Sequence, residues 1–80
     1  MSYLKTFFAE KNLSERTYNL TSERDGAFHV IPSEMVIEMI HTTEGKERKF
    51  IEDTLRKIDF ANGDVHHFLT HLAQQIANNY

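Results

Sequence analysis

The chain has 80 residues, 40% apolar and 26% charged, with a formal net charge of −3 when its five histidines are neutral. This is the composition of one small globular domain, residues 1–80, near the size at which a single core supplies roughly 3–5 kcal/mol. The absence of cysteine excludes disulfides and thiolate zinc sites, and nine basic residues scattered among twelve acidic ones form no electrostatic footprint for nucleic acid.

The N-terminal stretch MSYLKTFFAEKNL lacks a basic n-region, a long apolar run and a small-residue cleavage site, so it does not read as a signal peptide. No segment approaches the roughly 18 apolar residues needed to span a bilayer, and a cytoplasmic location without membrane contact is expected. Ser2 is placed to cap a first helix running to about Asn12, with Leu4, Phe7 and Phe8 on one face at i, i+3, i+4 spacing. Phe7, Phe8 and Tyr3 either complete the core or form an exposed anchor for a partner. Core burial is favoured, because a small domain needs its aromatics inside.

From Arg16 the period changes to two. Tyr18 and Leu20 alternate with Thr17, Asn19 and Thr21, the Asp25-Gly26 pair marks a turn, and AFHVI follows as a second strand. The reading is a β-hairpin over about 16–21 and 27–31. Its face of Thr17, Asn19 and Thr21 carries no charge, so an unpaired edge there is weakly protected against pairing with another chain.

Pro32 ends the strand and Ser33 is placed to cap a second helix, in which Val36, Ile37 and Ile40 form a buried stripe flanked by Met35 and Met39. Glu34, Glu38 and His41 take the solvent side. Thr42 or Thr43 then caps a third helix over about Glu44–Asp59, with Phe50, Ile51, Thr54, Leu55 and Ile58 on its inner side. Asn62-Gly63 breaks the chain and Asp64 caps the last helix, where Val65, Phe68, Leu69, Leu72 and Ile76 recur at helical spacing. The expected fold is α+β: a two-stranded antiparallel hairpin packed on four helices in the order α-β-β-α-α-α.

Within the last helix His67 and His71 stand four residues apart, a spacing that can chelate one metal ion. A closed zinc site needs four ligands and a catalytic one three, His66 lies too far around the helix to join, and no HExxH-like spacing is present. A solvated polar face is the favoured reading, with His29 and His41 as ordinary strand and helix residues. Protonation of all five histidines would carry the formal charge from −3 to +2, a property of composition and not evidence of a sensor.

Catalytic patterns are missing: no cysteine nucleophile, no G-x-S-x-G elbow, no glycine-rich phosphate loop. Glu52 and Asp53 sit beside Arg56 and Lys57, which suits surface pairing better than acid-base work. Residues 34–59 form consecutive helices that could act as a helix-turn-helix, with Lys46, Arg48 and Lys49 approaching phosphates. The interleaved Glu44, Glu47, Glu52 and Asp53 oppose that alternative.

The segments VIPSEMVIEMI and KIDFANGDVHHFLTHLA resemble short uncharacterised proteins of low-GC Gram-positive bacteria. The resemblance implies a cytoplasmic bacterial protein and carries no chemistry. The expectation is therefore a non-enzymatic protein without a cofactor, acting by protein-protein interaction or regulation through an unidentified protein partner, and existing alone as a monomer or weak homodimer. Nucleic-acid binding is the first alternative and a histidine metal site at His67 and His71 the second. Thr17, Asn19 and Thr21, with Phe7 and Phe8, are the candidate contact residues.

Overall fold

The computed structural model describes residues 3–58 and 63–80, apart from the side chain of Tyr3. Its elements are α1 (Tyr3–Glu10), β1 (Thr17–Thr21), β2 (Phe28–Pro32), α2 (Ser33–Thr42), α3 (Gly45–Lys57) and α4 (Asp64–Asn78), the α+β order expected from the sequence. The expected Ser2 cap, the Tyr3 ring and the boundary residues Asp59 and Asn62 lie outside the described residues.

Leu4, Phe7 and Phe8 of α1 are all buried, Phe8 completely. The two rings meet edge to face, 6.1 Å apart at 63°, so adjacent aromatics on a short helix share one wide apolar face. Phe7 and Phe8 are core residues, and their place among the candidate contact residues is corrected accordingly. Asn12 ends this region in the left-handed conformation, φ 58°, where Asn is tolerated better than most residues.

β1 and β2 pair antiparallel, with Thr17 opposite Pro32, Asn19 opposite Val30 and Thr21 opposite Phe28. The intervening loop closes when Ser22 N–H donates to Ala27 O at 2.8 Å and Gly26 N–H to Ser22 O at 2.9 Å. The Asp25 carboxylate accepts Ala27 N–H at 3.0 Å. That bond holds the Asp25 carboxyl below its ordinary pKa against desolvation, with smaller help from the Ser22 hydroxyl, His29 and Arg24. Tyr18 and Ile31 are the buried inward-facing residues of the hairpin, and Leu20 packs partly against the same core.

α4 lies beneath the sheet and supplies Val65, Leu69, Leu72, Ala73 and Ala77 to the core. The expected stripe is thus present, but Phe68 and Ile76 are half-buried, while Ala73 and Ala77 are fully buried and extend the stripe on one side. Small side chains there let strands and helix approach closely. α2 contributes Val36, Ile37 and Ile40, and α3 contributes Ile51 and Leu55.

The caps differ from the expected ones. Ser33 is the first residue of α2 and not its cap, which is Pro32. Its buried hydroxyl donates to Leu13 O at 2.6 Å and to Arg16 O at 2.8 Å, adding to the backbone donors those carbonyls already have in Arg16 N–H and Ser33 N–H and tying the α1–β1 connection to the start of α2. Thr42 and Thr43 close α2 by donating to Met39 O, and Glu44 occupies the N-cap position of α3. α4 starts from Gly63, left-handed at φ 73°, with Asp64 inside the first turn and no side-chain cap. Asp64 still places negative charge at the positive end of the helix.

Candidate interaction surface

A two-stranded sheet has two edges, and backbone geometry decides which groups they present. Ser33 N–H bonds Arg16 O at 2.9 Å and Ser22 N–H bonds Ala27 O at 2.8 Å, which sets the hydrogen-bonded pairs at 16/33, 18/31, 20/29 and 22/27. Thr17, Asn19 and Thr21 on β1, and Phe28, Val30 and Pro32 on β2, therefore turn their backbone polar groups outward. Pro32 falls at one of these positions, where its missing N–H costs the ladder nothing.

The two edges are not equivalent. On β1, Gln74 Nε2 donates to Thr21 O at 2.8 Å and to Asn78 Oδ1 at 3.0 Å, while Glu23 N–H donates to Asn78 Oδ1 at 2.8 Å. One end of that edge is thereby fastened to α4. On β2, the N–H and C=O of Phe28 and Val30 make no hydrogen bond among the described residues.

Side chains follow the same alternation. Phe28 is 66% exposed and Val30 54% exposed, both on the outer face of the sheet with Thr17, Asn19 and Thr21. On the inner face of β2, His29 is half-buried and stacks on the ring of Tyr80, centroids 4.4 Å apart and planes 11° apart. Tyr80 in turn walls a groove of about 430 Å³ with Met35, Glu38, Met39 and Ile76, and its hydroxyl contacts Met35 Sδ at 3.5 Å. Gln74 and Asn78 hold the β1 side of α4, so the groove lies on the opposite flank of the helix, towards β2 and α2.

Sequence reasoning named Thr17, Asn19 and Thr21 but missed Phe28 and Val30. The signal was available: directly opposed residues of an antiparallel pair share a face, so inward Tyr18 and Leu20 require outward Val30 and Phe28. Phe50, expected inside, is 65% exposed. It lines a second groove of about 510 Å³ between α3 and α4, together with Ile51, Phe68 and Leu72.

The remaining candidates stay apart. His67 and His71 are exposed, His71 Nε2 lies 3.3 Å from Gln75 Nε2, and the described residues contain no group of three or more potential metal ligands. Arg48 donates to Glu52 at 2.9 Å and to the His41 carbonyl at 3.1 Å, so the middle member of the Lys46, Arg48, Lys49 set is engaged within the protein. Asp53 pairs with Arg56 at 3.5 Å. No helix among the described residues is long and apolar enough to cross a membrane. Comparison with known proteins adds no relative: no family model, no curated protein and no solved structure matches the chain.

Proposed function

We propose that this protein is a non-enzymatic interaction module that receives an extended segment of a protein partner as a third strand at the open edge of β2. The observation that carries this reading is the coincidence, on residues 28–30, of unpaired backbone groups with exposed apolar side chains. Strand addition draws affinity from main-chain hydrogen bonds and specificity from alternate side chains. Both are available here: an added strand bonds to Phe28 and Val30, and its outward side chains cover their rings and methyls. Burying the exposed parts of those two side chains contributes roughly 2–4 kcal/mol, and each main-chain bond adds about 1 kcal/mol. After the cost of association these gains support a reversible contact rather than a permanent one.

The test uses a displayed library of random eight-residue peptides, selected on the whole protein, and two proline variants. Val30→Pro deletes an outward N–H on β2 and breaks no bond of the hairpin ladder; Asn19→Pro does the same on β1. The expected result is selected peptides that lose binding to Val30→Pro and keep it with Asn19→Pro, circular dichroism verifying that both variants fold. Should Val30→Pro fail to fold, N-methylation of alternate peptide amides supplies the same information. Equal binding to wild type and Val30→Pro, or failure to select any peptide, would overturn the reading.

A further inference from the structure

Resting on that reading, we infer that the segment received at β2 belongs to a partner protein and carries an apolar side chain at its central inward position with lysine or arginine beside it. The inference follows from what lies beneath the edge. Because residues 28 and 30 form the outward-bonding positions, a segment added antiparallel to β2 has the residue opposite His29 in a pair without hydrogen bonds, its side chain on the inner face. The Tyr80 ring stacked under His29 is the near wall of the groove formed with Met35, Met39 and Ile76. An inward side chain at that place descends into the groove, where flexible methionines adapt to branched or unbranched shapes.

Charge selects the occupant. Glu38, on the groove wall, is exposed and has no ion-pair partner among the described residues, whereas Glu34 lines a separate groove beside Lys5. β2 itself, FHVIP, carries no aspartate, glutamate, lysine or arginine. A strand with a cation next to its apolar anchor therefore meets the unpaired Glu38 carboxylate, and acidic flanks are repelled. The same features disfavour a second copy of this chain. Two copies each bring a net charge of −3, and a symmetric pairing centred on residue 29 places a histidine in place of an aliphatic anchor and brings no lysine or arginine from β2.

The peptides selected from the library are read for pattern, and the best of them is resynthesised with Lys or Glu flanks and titrated by fluorescence anisotropy against wild type, Glu38→Lys and Val30→Pro. The expected pattern is one apolar inward position with lysine or arginine among the residues that flank it. The Lys-flanked form binds wild type at least tenfold tighter than the Glu-flanked form, and Glu38→Lys abolishes or reverses that preference. Peptides that lose binding in Val30→Pro yet show no apolar position, or no change of flank preference in Glu38→Lys, would overturn this inference and leave the edge reading intact. Peptides that follow the pattern but bind Val30→Pro as tightly as wild type would overturn the edge reading itself. Sedimentation showing a dimer abolished by Val30→Pro, in place of peptide binding, would identify a second copy as the occupant and also overturn the inference.

Discussion

Tyr18 carries a buried hydroxyl with no hydrogen-bond partner, and the structure turns this into a quantitative expectation for Tyr18→Phe. The residue is 6% exposed, on the inward face of β1. The Ser33 hydroxyl directs its proton to the Leu13 and Arg16 carbonyls and touches Tyr18 only weakly, outside hydrogen-bond geometry. Removing a buried, unsatisfied hydroxyl relieves roughly 1–3 kcal/mol. The void left by one oxygen returns roughly 0.3 kcal/mol of that gain, and the Arg16 guanidinium, 6.0 Å from the ring centre, still faces an aromatic ring in the variant. Tyr18→Phe is therefore expected to be more stable by about 1 kcal/mol, a rise of roughly 4–8 °C in melting temperature for a domain of this size. The pH dependence follows from the same burial. Desolvation raises the Tyr18 pKa above 10.0, opposed by Arg16 and Ser33, so the unfolded chain ionises first and holds fewer protons than the folded one above about pH 10. Wild type loses stability there as pH rises, and Tyr18→Phe lacks that component. Urea unfolding between pH 7 and 11, with unchanged denaturant slope, measures both effects. A Tyr18→Phe protein less stable than wild type at pH 7 would show that the hydroxyl has a partner of real strength, and the reasoning would fall.

Ser33→Ala is expected to cost about 1 kcal/mol, because it removes a hydroxyl bond shared by the Leu13 and Arg16 carbonyls while each keeps its backbone donor; thermal unfolding reads the loss, and an unchanged melting temperature would refute the role. Phe8→Ala, which empties a fully buried position, is expected to cost roughly 3–5 kcal/mol. Phe50→Ser, at a 65% exposed position, is expected to stay within about 0.5 kcal/mol of wild type; urea midpoints compare the two, and a large loss in Phe50→Ser would place that ring in the core. Stoichiometric zinc is expected to move the melting temperature by less than about 2 °C, with or without His67→Ala and His71→Ala, since a metal bound only by the folded state must stabilise it. A larger rise lost in those variants would establish a metal site.

Element order and core were legible in the sequence because periodicity carries them. Leu4, Tyr18, Val36, Ile40, Leu55 and Leu69 are buried where period 3.6 or period 2 places them. The caps were less legible, for a local rule competes with a long-range demand. Ser33 has the right residue type for a cap, but its hydroxyl is taken by Leu13 and Arg16, far back in the chain, and a cap is lost by a shift of one residue. Phe50 shows a related limit. α3 meets the core through the narrow stripe of Ile51 and Leu55, so a residue at the rim of an apolar face is left outside even though its helical angle is favourable. The outer face of the hairpin was half legible: the β1 residues alternate clearly, whereas AFHVI is apolar at nearly every position and reveals its facing only through its partner strand.

That same sequence property bears on what the hairpin is for. Proteins commonly protect an open edge with lysine, an inward charge or a covering helix, and here neither TYNLT nor FHVIP contains an aspartate, glutamate, lysine or arginine. Charge is placed instead at the ends, in Glu15 and Arg16 before β1 and in Glu23, Arg24 and Asp25 in the loop. Such placement leaves residues 28–30 attractive to an incoming strand, while charge around them limits how far pairing can extend. The fold also departs from the minimum needed for burial. Exchanging Phe28 and Val30 for polar residues would remove exposed apolar area without touching the core formed by Tyr18 and Ile31 on the other face. Core burial therefore gives no reason for these two side chains beyond their strand propensity, and the contact proposed at the β2 edge would supply one.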